Sequence, residues 1–133
     1  MSRSLIQVAN ASPQTVAANG IIALGSVQRK FGCNGSLSGN AIEANGAGYY
    51  SIYGSVTVAP SEVGEVTVAV YKDGEPIPGA TASSYAGTAD NPVAVPIVGT
   101  IRQNCCDSAA NLTCVLVAGA GTVNNISLQV VKE

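Results

Sequence analysis

The run Gly48-Tyr49-Tyr50-Ser51-Ile52-Tyr53-Gly54-Ser55-Val56-Thr57-Val58 decides the fold. Its side chains alternate: Ile52, Val56 and Val58 fall on one face with Gly54 between them, and Tyr50 joins Ile52. Tyr49, Ser51 and Tyr53 fall on the other face. Period-two alternation rich in β-branched and aromatic residues marks a strand buried on one side only. Working outward, Leu5 to Ala9, Glu65 to Lys72 and Ile126 to Val131 repeat the pattern. Turn pairs punctuate these runs at Asn19-Gly20, Asn34-Gly35, Asn45-Gly46 and Asp73-Gly74, with Gly119-Ala120-Gly121 near the end. Asn-Gly and Asp-Gly tolerate the positive φ angles that tight hairpins demand.

Nowhere do helix formers run for three turns with an apolar stripe. Strands are predicted near residues 4–9, 21–30, 41–44, 48–58, 65–72, 79–86, 92–101, 112–118 and 124–132. About eight to ten short strands make an all-β protein, an antiparallel two-sheet jelly-roll sandwich. At 133 residues the chain has room for one such domain, spanning 1–133, with its two termini in neighbouring strands.

Composition narrows the partners. Apolar residues make up 47% of the chain and charged residues 11%, against roughly 25% charged in an average domain. So little charge implies that part of the surface is hidden against further copies of the chain. Six basic residues, scattered along a chain of net charge −2, offer no stripe for phosphates, and nucleic acid is not expected as a partner. The most apolar stretch, Val115 to Ala120, is too short to cross a membrane as a helix, and Met1 to Val8 lacks the pattern of a signal peptide.

The chain contains no His, which removes the commonest general base, the Ser–His and Cys–His dyads, and the commonest zinc ligand. Most of the acids lie in or beside turns, where water keeps carboxyl groups ordinary. Glu62 and Glu65 share a loop and could offer oxygens to calcium, but no acid-rich loop matches an established pattern. No catalytic residue, metal site or cofactor is expected.

The cysteines are Cys33, Cys105, Cys106 and Cys114. Four thiols allow three pairings, and spacing does not choose among them. One reading has Cys105 or Cys106 bridged to Cys114 across the connection between the last two long strands. Cys33 then takes the remaining thiol, if the strands following residues 20 and 90 are neighbours. The other reading has reduced thiols packed as small hydrophobes. The polar segment from Gln103 to Cys114 is the leading candidate for an exposed recognition loop. Tyr49 and Tyr85 are candidate ligand contacts, against the plainer alternative of tyrosines packed in the sheet or at a subunit contact.

The run quoted first, followed by Val66-Thr67-Val68-Ala69-Val70-Tyr71-Lys72-Asp73-Gly74-Glu75-Pro76-Ile77, resembles the jelly-roll family of complement globular heads and tumour necrosis factor. The tail from Asn111 to Lys132 resembles its bacterial and phage branch, similar to the heads of spore-coat collagen-like glycoproteins. The resemblance implies three jelly rolls packed about an axis. It implies a non-enzymatic structural or recognition protein at the surface of a virion, bacterial cell or spore, with copies of itself, other surface proteins or a glycan as partners. Val56, Val58, Val68, Val95 and Ile97 then belong either to the core or to the threefold contact. Two departures stand out: no collagen-like stalk precedes the first strand, and Phe31 is the only Phe. A carbohydrate-binding module, reading glycans through its Tyr-bearing loops, is the alternative function. An immunoglobulin-like surface module is the rival fold for the Val70 to Ala80 hairpin.

Overall fold

The computed structural model describes residues 3–104 and 108–132. Among them are twelve strands: β1 (Ser4–Asn10), β2 (Gln14–Val16), β3 (Gly20–Ile21), β4 (Ser26–Phe31), β5 (Gly35–Ser38), β6 (Ala41–Ala44), β7 (Gly48–Pro60), β8 (Gly64–Lys72), β9 (Glu75–Ala86), β10 (Val93–Gln103), β11 (Ala110–Ala118) and β12 (Gly121–Lys132). They form two antiparallel sheets. The first runs β10-β7-β12-β1-β4 with β2 beside β12, and the second runs β5-β6-β11-β8-β9 with β3 beside β11. This is the expected two-sheet jelly roll, and the terminal strands are neighbours, Ser4 opposite Lys132 and Asn10 opposite Ile126.

The inward faces close on one core. Ile52, Val56 and Val58 from β7 meet Val66, Val68 and Val70 from β8, with Leu112, Cys114 and Leu116 from β11 and Leu128 from β12. Val56, Val58, Val68, Val95 and Ile97 are all buried there. The choice between core and threefold contact is thereby settled in favour of core, because these side chains are spent between the two sheets of one chain.

Three differences from the sequence reading have physical causes. The strand expected over 21–30 is cut in two: β3 joins the second sheet and β4 the first. The crossing turns at Gly25, whose φ is +79°, and any β-carbon there would collide with the Ala9 carbonyl oxygen. Secondly, β2 carries no alternating pattern of its own. It is fixed beside this crossing by the Gln14 side chain, which donates to the Ala23 carbonyl (3.0 Å) and accepts from the Ala23 amide (2.9 Å). Thirdly, β9 starts at Glu75 rather than 79, directly after the Asp73–Gly74 turn, where both residues have positive φ as a type I′ hairpin requires.

Beyond that hairpin β9 loses register with β8 between Ala69 and Tyr71. The bulged residues carry Ile77 and Ala80 inward, so β9 leans onto β10 and closes that side of the sandwich. Both are sheet edges, and the edges hold the prolines: Pro76 and Pro78 in β9, Pro96 in β10. A residue without an N–H sits there without costing a ladder bond and discourages pairing with another chain.

Gly54 lies in the middle of β7, opposite Ile97 on one side and Leu128 on the other. A β-carbon would stand 2.9 Å from Leu128 Cδ1 and 2.8 Å from the Ser127 carbonyl oxygen. The Gly54→Ala change is therefore expected to destabilise the fold by overpacking, by about 1–3 kcal/mol. Thermal unfolding followed by circular dichroism checks this; an unchanged midpoint means that Leu128 can move aside freely.

Candidate functional site

Antiparallel strands collect residues distant in sequence at two opposite ends. At one end Ser4 meets Lys132, Lys132 meets Tyr50, and Gly48 meets Gln103. In the second sheet the same end holds the β8–β9 hairpin, tied to β11 by Asp73 N–H to the Asn111 carbonyl (2.9 Å) and Asn111 N–H to the Asp73 carboxylate (2.9 Å). The β4–β5 and β6–β7 loops are tied together there as well. Asn34 donates from Nδ2 to the Asn45 carbonyl (2.7 Å), and the Asn45 amide returns a bond to the Asn34 carbonyl (2.8 Å). The buried Tyr50 hydroxyl donates into the same loop, toward the carbonyls of Asn45 and Gly46.

Five of the six cations of the chain belong to this end, and Arg29 stands nearer the middle of the first sheet, in the cross-strand row of Gln129 and Tyr53. Arg3 precedes β1, and Arg29, Lys30, Lys72, Arg102 and Lys132 lie in the closing halves of β4, β8, β10 and β12. The described acids near them are Glu43, Asp73 and Glu75. The opposite end, where Gly64 meets Ala86 and the Asp90 amide donates to the Pro60 carbonyl (2.7 Å), carries Glu62, Glu65 and Asp90 and no cation. The basic residues, scattered along the sequence, are gathered in space.

A cleft of about 290 Å³ opens at the basic end, between the β8–β9 hairpin and the last residues of β10. Lys72, Glu75, Thr100 and Arg102 supply its polar wall and Pro76 and Pro78 its apolar one. The guanidinium of Arg102 lies over the ring of Tyr49, 5.6 Å from its centroid, a cation–π contact that steadies a long side chain. A second cleft, of about 370 Å³, lies at the acidic end between the β7–β8 loop and Gly119–Ala120. Glu62 and Glu65 both line it. Among the described residues no three ligating side chains converge to hold a metal.

The two tyrosines singled out from sequence do not meet. Tyr49 is 53% exposed on the first sheet at the basic end; Tyr85 is 69% exposed on the second sheet, opposite Glu65 at the acidic end. The cleft residues Lys72 and Arg102 carry no signal in the sequence, because only the packing of one sheet on the other brings two cations thirty positions apart to one cleft.

The segment from Gln103 to Cys114 is not one loop. Gln103 closes β10 with its side chain buried, donating from Nε2 to the Ser108 carbonyl (2.9 Å), and β11 starts at Ala110. Cys114 is the fifth residue of β11, opposite Val70, and its thiol points into the core. Cys33 is exposed in the loop after β4, and both Cys33 and Cys114 are free thiols. Cys105 and Cys106 lie outside the described residues. The premise that the strands after residues 20 and 90 are neighbours does not hold, since β4 and β10 are opposite edges of the first sheet.

Compared by sequence, the chain matches no family model and no curated protein. Compared by structure, it is similar to murine APRIL, with a TM-score of 0.76 over 99% of this chain and 100% of that one, at 13% identity. The globular domain of zebrafish complement 1qA protein superposes with a TM-score of 0.68 over 94% of each chain, at 6% identity. The PRD1 vertex protein P5 does so with a TM-score of 0.60 over 97% of this chain and 96% of that one, at 11% identity. At such identities the likeness establishes a shared jelly-roll fold.

Burial pushes the Cys114 thiol up from 9.0 to about 12. A group whose pKa is higher folded than unfolded stabilises the fold fully below its unfolded value and loses that contribution as pH rises toward the folded one. Stability is therefore expected to decline between pH 9 and 12, and less so in Cys114→Ala once its cavity cost at neutral pH is subtracted. With iodoacetamide at neutral pH, peptide mapping should find Cys33 labelled in the native protein and Cys114 labelled only after unfolding. Rapid native labelling of Cys114 would contradict its burial.

Proposed function

We propose that residues 1–133 act as one jelly-roll unit that assembles as a homotrimer and serves a non-enzymatic structural or recognition role on a virion or bacterial surface. The observation that carries this is the outward face of the first sheet. Cross-strand pairing lays it out in rows. Phe31, Leu5, Val131, Ser51 and Thr100 form one, and Arg29, Gln7, Gln129, Tyr53 and Val98 the next. A third holds Ser26, Ala9, Ser127, Ser55 and Pro96.

Among the described strand residues no acid occurs on this face, and its cations are Arg29 and Arg102, near opposite edges. Tyr53 is 47% exposed, Phe31 55% and Val98 62%. The second sheet, by contrast, carries Glu43 and Glu65 on its strands and reads as a solvated face. Five strands at ~4.8 Å spacing and about nine residues at ~3.3 Å make a face of roughly 700 Å². That is close to the ~800 Å² each partner contributes to a stable interface. A large face of apolar and neutral polar residues is what a self-association surface requires. The threefold arrangement follows the family resemblance of the central strands, and the likeness to a vertex protein supports the surface location.

The absence of His leaves general acid–base chemistry without its usual carrier, which supports a role in binding rather than turnover. Light scattering is expected to give three times the 13.3 kDa chain mass. The pair Tyr53→Asp and Gln129→Glu, placing carboxylates side by side at the centre of the face, is expected to give monomers that keep their β-sheet circular dichroism. A monomeric parent at micromolar concentration, or an unaltered trimer in the double variant, would refute the proposal or its assigned face.

A further inference from the structure

We infer that the cleft between the β8–β9 hairpin and the end of β10 binds a carboxylate-bearing sugar, a uronic or sialic acid residue. This rests on the recognition role proposed above and gives that role a site and a ligand class. Lys72 and Arg102 approach the cleft from different sheets, and neither forms an ion pair among the described residues. Two cations that converge on one cleft beside a single carboxylate are a receptor for an anion. Arg102 offers a planar fork suited to a carboxylate, and its stacking on Tyr49 reduces the freedom it would lose on binding. Lys72, where β8 enters the hairpin opposite Glu75, is anchored by the paired strand.

Glu75 decides the class of anion. With its carboxylate in the same cleft as the two cations, the site keeps a single net positive charge, which suits a monoanion better than a phosphate dianion. Glu75 and the Thr100 hydroxyl also add acceptors beside the cationic donors. A ligand that satisfies both needs one carboxylate and several hydroxyl groups. The prolines complete the match, since Pro76 and Pro78 present a rigid apolar edge to the C–H face of a pyranose. A volume of about 290 Å³ suits one sugar ring.

The test is titration of the intact, isotope-labelled protein with glucuronate, N-acetylneuraminate, glucose and sodium sulfate at constant ionic strength, followed by amide shifts. The two acidic sugars, compared with each other, identify which carboxylate sugar is preferred. The expected result is saturable movement of the Lys72, Thr100 and Arg102 signals with at least one acidic sugar and none with glucose. Lys72→Ala and Arg102→Ala are each expected to weaken binding about tenfold or more. Tyr49→Phe should keep the affinity that Tyr49→Ala loses, because a ring suffices to hold Arg102. Equal movement with sulfate means ionic attraction only and overturns the assignment, as does equal binding of glucose, movement elsewhere, or none at saturation. Light scattering on the same samples separates the two proposals: a monomer that still binds acidic sugar removes the trimer and leaves the cleft, and a trimer that binds none does the reverse.

Discussion

The structure depends on where the last strand goes. β12 lies in the first sheet between β7 and β1, pairing from Gly121 to Lys132 along one and from Ile126 to Lys132 along the other. Residues at the two ends of the chain thus form adjacent central strands, and Ile126, Leu128 and Val130 fill the core from the middle of the sheet. The core cannot close until the whole chain is in place, so loop-closure entropy comes first and core burial repays it late. Gly54 is part of the same constraint: Leu128 packs over it, and only a residue without a β-carbon lets the two central strands keep that contact.

Much of this was legible in the sequence, for a local reason. Where a strand is buried on one face, a one-residue slip would turn its apolar side chains to solvent, so alternation encodes both strand and orientation. That holds for β7, β8 and β12. It fails for β4, whose residues are exposed on both faces, and for β2, held by one side-chain amide. It fails at β9 for another reason: the bulge between Ile77 and Ala80 breaks the period of two where the strand turns its side chains toward β10. The site was less legible than the fold. Arg3, Lys72, Arg102 and Lys132 look unrelated along the chain, yet each lies at the same end of a strand or just before one. Their gathering is a property of antiparallel pairing between strands distant in sequence, which no local pattern reports.

The sheet edges are unequal. On one side β9 and β10 lean together and carry three prolines, leaving little backbone to recruit another strand. On the other, β4 presents Val27 and Phe31 to solvent on opposite faces, with no proline in the strand. A chain that protects one edge and leaves apolar side chains on the other tolerates the exposure best if a neighbour covers it. The placement of Phe31 in the first row of the outward face makes that edge continuous with the surface proposed for self-assembly.

The face proposed for assembly and the cleft proposed for recognition meet along one border of the scaffold. Thr100 stands in the first row of the outward face and also lines the cleft, whereas Lys72, Glu75 and the two prolines of the cleft belong to the hairpin. If three copies pack by that face about an axis running along the strands, their basic ends point the same way. The three clefts become a single array, and the cations at each end add to one field that draws an acidic polymer from solution. A monosaccharide contact that is weak by itself becomes strong when one repeating chain reaches a second cleft, because the second capture is intramolecular. In such an assembly the acidic end, with Glu62, Glu65 and Asp90 and no cation, would repel the same polymer and so fix which end meets it. In a chain with so few charges, their position carries what their number cannot.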